Sequence, residues 1–175
     1  MTDFSKIYIL AEDARQQLFV RRYLYRAGYE RHAIDPEVLP KGTGGAGEQW
    51  VRQRYSAAVA KYRKRAARAK TALIVILDAD TETVSRRARQ LSEALGNDAR
   101  KEGETIIHFI PKRNIETWIL HLNGEEVDEE KDHRNRDVDD LIPAAAAAFH
   151  AWTPQPPERC LPSLRAGIEE TKRLA

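Results

Sequence analysis

Residues 71–77 read TALIVIL, an unbroken apolar and β-branched run. It is far shorter than the roughly 20 apolar residues that span a bilayer, and it lacks the alternation of a strand with one wet face. It therefore predicts a strand covered on both faces, as in a parallel sheet sandwiched between helices. KIYIL at 6–10 and ETIIHFI at 104–110, the latter broken by Pro111, read as further buried strands, and AIDPEVL near 33–39 as a weaker one. Between them lie helical patterns. Leu18, Phe19, Arg22, Tyr23 and Arg26 recur at helical spacing after the first strand, with Gly28 as the stop. A long helix is predicted from Glu48 to Lys70, packing through Trp50, Tyr55, Val59 and Tyr62. Another runs from about Thr83 to Leu95 and ends at Gly96, and a short one at 114–122 is capped by Asn114 and ends near Gly124. Alternating strands and helices predict an α/β fold, a mainly parallel sheet flanked by helices.

The chain of 175 residues fits one domain. Residues 1–124 hold the α/β pattern. Residues 125–140 form an acidic, charged loop expected to be mobile. Residues 141–175 form a helical C-terminal extension packed on the same domain. It comprises a helix starting around Pro143, a proline-rich stretch at 153–162, and a closing helix with Ser163 as candidate N-cap. A lone cysteine, Cys160, excludes an internal disulfide and fits a reducing compartment. With no signal-like or membrane-spanning run, a cytoplasmic protein with no membrane partner is expected. The five histidines are scattered without zinc-ligand spacing, and His108 sits in an apolar strand as a core residue.

Acids gather where the strands end. The first strand runs into Glu12 and Asp13, the TALIVIL strand into Asp78 and Asp80 with Glu82 behind, and the last leads through Pro111 to Glu116. In open parallel sheets the carboxyl ends of the strands face a shared crevice, where ligands bind. On an extended chain residues 78 and 80 point the same way, so both could serve one cation. Each acid also has a plain structural reading. The D-x-D could be a solvated turn with Asp80 or Thr81 capping the next helix, and Glu12 and Glu116 could be first-turn acids matched to a helix dipole.

With YILAED and VILDADT in this order, the chain resembles the Toprim domain, the metal-binding α/β module of topoisomerases, primases and overcoming-lysogenization-defect (OLD) nucleases. FIPKRNIETWIL resembles the P-x-x-x-x-E-x-W stretch of small standalone Toprim-like proteins of bacteria and phages. The resemblance covers about residues 5–122. It implies Mg²⁺ or Mn²⁺ held by Asp78 and Asp80, Glu12 as general acid/base or ligand, and Glu116 as a ligand of a second ion. The implied activity is metal-dependent phosphodiester cleavage of nucleic acid. Two positions depart from the family pattern: Asp13 stands where glycine usually follows the glutamate, and TETVSRR follows the D-x-D where glycine is usual.

Arg52, Arg54, Lys61, Arg63, Lys64, Arg65, Arg68 and Lys70 share one stretch without an acid among them, which predicts a polyanion-binding face, with Lys112 and Arg113 adding to it. Arg21, Arg22 and Arg26 are read as adding to the same field. The acidic loop is read as solvated, with folding back on this helix to restrain nucleic-acid access as the alternative. KGTGGAGE places its lysine before the glycines, so it is not a phosphate loop of the G-x-x-x-x-G-K-[ST] kind, though its backbone N–H groups could touch a phosphate. Expected partners are DNA or RNA and, because Toprim modules of the OLD type work with ATPases and this chain has no such motif, an ATPase in trans. A non-catalytic or partner-activated subunit, for example in phage defence, is the competing class. Trp152 and the proline-rich segment would serve a homodimer surface or close the core.

Overall fold

The computed structural model describes residues 3–42 and 45–175; Thr43 and Gly44 of the glycine-rich loop lie outside them. Among the described residues, four strands form one all-parallel sheet in the order β2-β1-β3-β4. They are β1 (Lys6–Ala11), β2 (Ile34–Val38), β3 (Thr71–Ile76) and β4 (Ile106–Phe109). Helices α1 (Ala14–Arg26), α2 (Gly47–Ala66), α3 (Val84–Ala94) and α4 (Ile115–Leu122) connect and flank them, and α5 (Ile142–Trp152) and α6 (Pro162–Glu170) close the chain. No helix among the described residues is long and apolar enough to cross a membrane.

Strand β3 is buried at every position, as its uninterrupted apolar run requires. Alternate side chains of the sheet feed two cores. Ile7, Ile9, Ile74, Ile76 and Phe109 pack against α1, α4 and α5, where Phe19, Trp118 and Phe149 fill the space. Leu10, Leu73, Val75 and Leu77 pack against α2 and α3 through Val51, Tyr55, Val59 and Leu91. Residues 141–175 share the first core through Ile142, Phe149, Leu164 and Ile168. Trp152 is partly buried against this core, beside His121.

Several local expectations shift. Helix α2 ends at Ala66, so Arg68 and Lys70 lie beyond it. Asn114 occupies the N-cap position of α4 but makes no capping bond; its amide donates to Asp132 instead (2.7 Å). Ser163 lies inside α6, after Pro162, and its hydroxyl receives the Trp118 indole N–H (2.8 Å) and donates to Glu129 (2.7 Å). In both cases a partner distant in sequence takes the side chain that local propensity assigns to a cap. Residues 125–138 hold no regular element, yet they are anchored. Glu130 pairs with Lys112 (3.2 Å), Asp132 with Arg113 (3.8 Å), and Arg136 grips Glu125 with two bonds (2.8 and 3.1 Å). This strap docks beside α4 and α6 rather than folding back on α2.

The outer edge of β4 is closed by an ion pair. The His108 backbone N–H donates to Glu170 (2.8 Å), and Arg100 donates to the Ile106 carbonyl (2.9 Å) while pairing with Glu170 (2.5 Å). The His108 side chain is buried and shares a hydrogen bond with the Tyr55 hydroxyl (2.8 Å). Burial, and then the charges of Arg100 and Arg173, push the imidazole well below its ordinary range, so the ring is neutral. Tyr55→Phe strands the His108 nitrogen in the core, and a loss of about 1–3 kcal/mol is expected. Chemical denaturation measures it; an unchanged midpoint and slope would show that Tyr55 contributes only its ring.

Candidate functional site

Strand order reverses between β1 and β3: the chain leaves β1 toward β2 on one side and returns to place β3 on the other. At such a switch point the connections diverge to opposite faces and leave a crevice at the carboxyl ends. Glu12 follows β1 there, and Asp78 follows β3. One Glu12 oxygen accepts the Asp78 backbone N–H, which clips the two strand ends together (2.5 Å). Gln16, fully buried one turn into α1, bridges them a second time. Its amide donates to the Asp78 carboxylate (3.0 Å), and its carbonyl oxygen accepts the Glu12 backbone N–H (3.0 Å). Asp13 is the N-cap of α1 and accepts the Gln16 backbone N–H (2.8 Å). Asp13 therefore starts the helix that delivers Gln16.

Other elements crowd the same point. The start of α2 abuts Glu12 so closely that a Cβ on Gly47 would lie 3.0 Å from the Glu12 Cβ. Arg87 of α3, itself buried, donates to the Asp78 and Ala79 carbonyls (3.1 and 2.8 Å) and pairs with Glu48 (2.8 Å), fixing the turn after β3. Glu116 is buried on the first turn of α4 and pairs with Arg15 of α1 (2.6 Å), which also holds Asp139 (2.8 Å).

Asp80 departs from the extended geometry expected of it. A Glu82 N–H to Ala79 carbonyl bond (3.0 Å) closes a turn in which Asp80 takes φ 60°, a left-handed conformation that aspartate tolerates better than most residues. Asp78 is buried while the Asp80 side chain is 37% exposed, and its carboxylate meets Arg134 of the strap at 3.2 Å. The following helix is capped by Thr83, whose hydroxyl accepts the Arg86 N–H (3.0 Å), rather than by Asp80 or Thr81.

The electrostatics are those of acids short of counter-charge. Among the described residues neither Glu12 nor Asp78 forms an ion pair within 4 Å. Burial first, then repulsion from Glu12, Glu116 and Asp13, drives Asp78 well above the ordinary carboxyl range. Burial, with Asp13 and Glu48 adding to it, pushes Glu12 up to about 7 against the pull of the Asp78 N–H. Glu116 is raised by burial despite Arg15. A proton or a cation must relieve such a group. The donors are hard carboxylate oxygens, which suit Mg²⁺ or Mn²⁺ in kind. In their present arrangement no three His, Cys, Asp or Glu side chains among the described residues gather closely enough to hold an ion.

The predicted basic residues scatter. Arg52 pairs with Glu48 (2.7 Å), Arg54 with Glu37 (2.6 Å), and Arg63 with Glu104 and Asp98 (both 2.6 Å). Lys61 lies over the Tyr8 ring (4.4 Å) near Asp35. Lys112 and Arg113 hold the strap. Glu48 of the helix's own first turn and acids from other elements thus satisfy much of this basic run. Lys64, Arg65 and Arg68 form no ion pair among the described residues and border one concavity with Lys61 and Tyr8. Residue 65 lies about 27 Å along the chain axis from Gly47, at 1.5 Å per residue, so this patch sits far from Glu12.

Gln16, Arg15, Arg87 and Arg134 were not singled out by the sequence. Only Gln16 carries a local signal: it follows Glu12 by four residues, and helical side chains lean back toward the N-terminus. Set against protein-family models, curated proteins and solved structures, the chain finds no match in any of the three comparisons.

Proposed function

We propose that the chain performs divalent-cation-dependent phosphodiester chemistry on nucleic acid, most simply as a nuclease, on a Toprim-like fold. The observation that supports this reading is the pair Glu12 and Asp78: one carboxylate partly buried and one buried, neither with a counter-ion among the described residues, clipped together at the switch point of a parallel sheet. Glu12, Asp78 and Asp80 would hold Mg²⁺ or Mn²⁺, which when bound supplies charge stabilisation at the phosphoryl oxygens. Gln16 holds Asp78 and the Glu12 backbone in fixed relation. As the alternative to serving as a ligand, Glu12 would move a proton at the reacting centre as general acid/base. Glu116, already paired with Arg15, is further from the role of ligand than Asp78.

Lys64, Arg65 and Arg68 would bind the polyanion at a distance. A duplex reaching from them to Glu12 runs along α2 for roughly 25 Å, about seven base pairs at 3.4 Å each. Shorter duplexes should be cut poorly. The test is cleavage of single- and double-stranded DNA and of RNA, with Mg²⁺ or Mn²⁺ and with EDTA. Cutting that needs the metal and falls to the EDTA level in the Asp78→Asn/Asp80→Asn double variant is the expected result. Cutting retained by that variant places the chemistry elsewhere.

The Arg134–Asp80 contact favours a second reading, a partner-activated subunit held at rest. In that case the purified chain is inactive, and a partner such as an ATPase must be supplied.

A further inference from the structure

Of the strap, Arg134 reaches the carboxylate cluster, and it does so at Asp80 (3.2 Å). Resting on the cation-dependent reading above, we propose that Arg134 is a tethered competitor for the cation: its guanidinium engages Asp80, and that carboxylate would be free to serve a divalent ion only after the arginine has swung away.

The anchoring of the strap makes the side chain the moving part. The Arg134 backbone N–H donates to Asp132 (2.8 Å), whose same oxygen receives the Asn114 amide (2.7 Å). Arg136, two residues on, is locked to Glu125. Glu129 accepts the Ser163 hydroxyl and Glu130 meets Lys112. The backbone around residue 134 is therefore pinned on both sides, while the Arg134 side chain remains 54% exposed and meets Asp80 through one nitrogen. Rotation about its own bonds frees Asp80 without unseating the strap.

Charge supports exchange rather than permanent pairing. Arg134 touches Asp80 alone, through one nitrogen at 3.2 Å, and Asp132 beside it draws on the same positive charge through the strap backbone. A guanidinium offers only N–H donors, whereas a divalent ion carries twice the charge and accepts several oxygens at once. A single half-exposed ion pair is weak and sensitive to salt. Such a contact delays and weakens loading without preventing it.

Mn²⁺ titration followed by calorimetry, at pH 8 and low salt, tests this on the wild type, Arg134→Gln, Arg134→Lys, Asp80→Asn and the Arg134→Gln/Asp80→Asn pair. Arg134→Gln should bind Mn²⁺ about two- to fivefold more tightly, as expected for removal of an exposed ion pair, with Arg134→Lys in between. On the Asp80→Asn background the Arg134→Gln gain should vanish. Each variant is first checked for wild-type melting in EDTA; should Arg134→Gln melt early, Arg134→Lys carries the comparison. Mn²⁺ bound with equal affinity by wild type and Arg134→Gln, or more weakly by the variant, overturns the competitor while leaving the metal reading intact. Unchanged Mn²⁺ affinity with weaker binding of an uncleavable oligonucleotide makes Arg134 a substrate clamp instead. No Mn²⁺ binding by any variant removes the metal reading, and this proposal with it.

Discussion

Asp78→Asn should make the protein more stable in EDTA at pH 8, by about 1–3 kcal/mol, while abolishing its response to divalent cations. The substitution is isosteric, and an asparagine oxygen still accepts the Gln16 amide that Asp78 accepts now. What it removes is a charge that burial and the acids Glu12, Glu116 and Asp13 all oppose. The pH dependence carries the sign. A carboxyl raised in the folded state holds its proton there at pH values where the unfolded chain has released it, so stability falls as pH rises above the ordinary carboxyl range. For Glu12 that loss runs from 4.5 up through about 7. The advantage of Asp78→Asn over wild type should therefore be large at pH 8 and shrink toward pH 5. At about 2–4 °C per kcal/mol for a chain of this size, the gain is visible in a melting scan. Mg²⁺ or Mn²⁺ should raise the wild-type melting temperature most at high pH and leave the variant unmoved. A variant less stable than wild type at every pH would mean that Asp78 is charged and well satisfied, and that the cluster has no need of a cation.

The second large effect is expected at Trp118. Its ring is fully buried on α4 among Phe19, Phe109 and Phe149, and its N–H is held by Ser163. Trp118→Ala should cost about 3–5 kcal/mol through lost burial and the cavity left behind. Gly167→Ala is the sharper test, because a glycine-to-alanine change inside a helix normally stabilises by up to about 1 kcal/mol. Here the new methyl would stand 2.6 Å from the Trp118 ring atom Cη2, and the indole is pinned by Ser163. Overpacking of this kind costs about 1–3 kcal/mol, so the sign should reverse to a net loss. Trp118→Phe removes the clashing atom, and Gly167→Ala should then cost less on that background than alone. Denaturant midpoints of the four proteins measure the coupling; additive effects would show that α6 shifts freely over α4.

The sheet and its acids were readable because they depend on near neighbours in sequence. TALIVIL has no amphipathic alternative, and a strand that ends in Asp78 presents that residue at the crevice whatever follows. The same locality misled at Asp80, where a turn closed by Glu82 and Ala79 replaces the extended geometry assumed from the strand before it. The acid-free run at 52–70 hides its pairing for the opposite reason. Its counter-charges, Glu37, Asp98 and Glu104, come from other elements, and no window of sequence shows them beside Arg54 and Arg63. Arg134 was invisible on the same ground: it lies in a charged segment without periodicity, and only the anchoring at Asp132 and Arg136 brings it to Asp80.

The sheet also governs how the molecule can meet others. On β2 the central residue is Pro36, which has no N–H to offer, and its neighbours Asp35 and Glu37 are drawn toward Lys61 and Arg54. On β4 the outward N–H of His108 and carbonyl of Ile106 are already taken by Glu170 and Arg100. Neither border offers a full row of free peptide groups on which another strand could register. Growth by strand addition, the common route of runaway self-association in β-containing proteins, is blocked at both ends. A second copy or a partner would have to be recognised by helix surfaces and side chains instead.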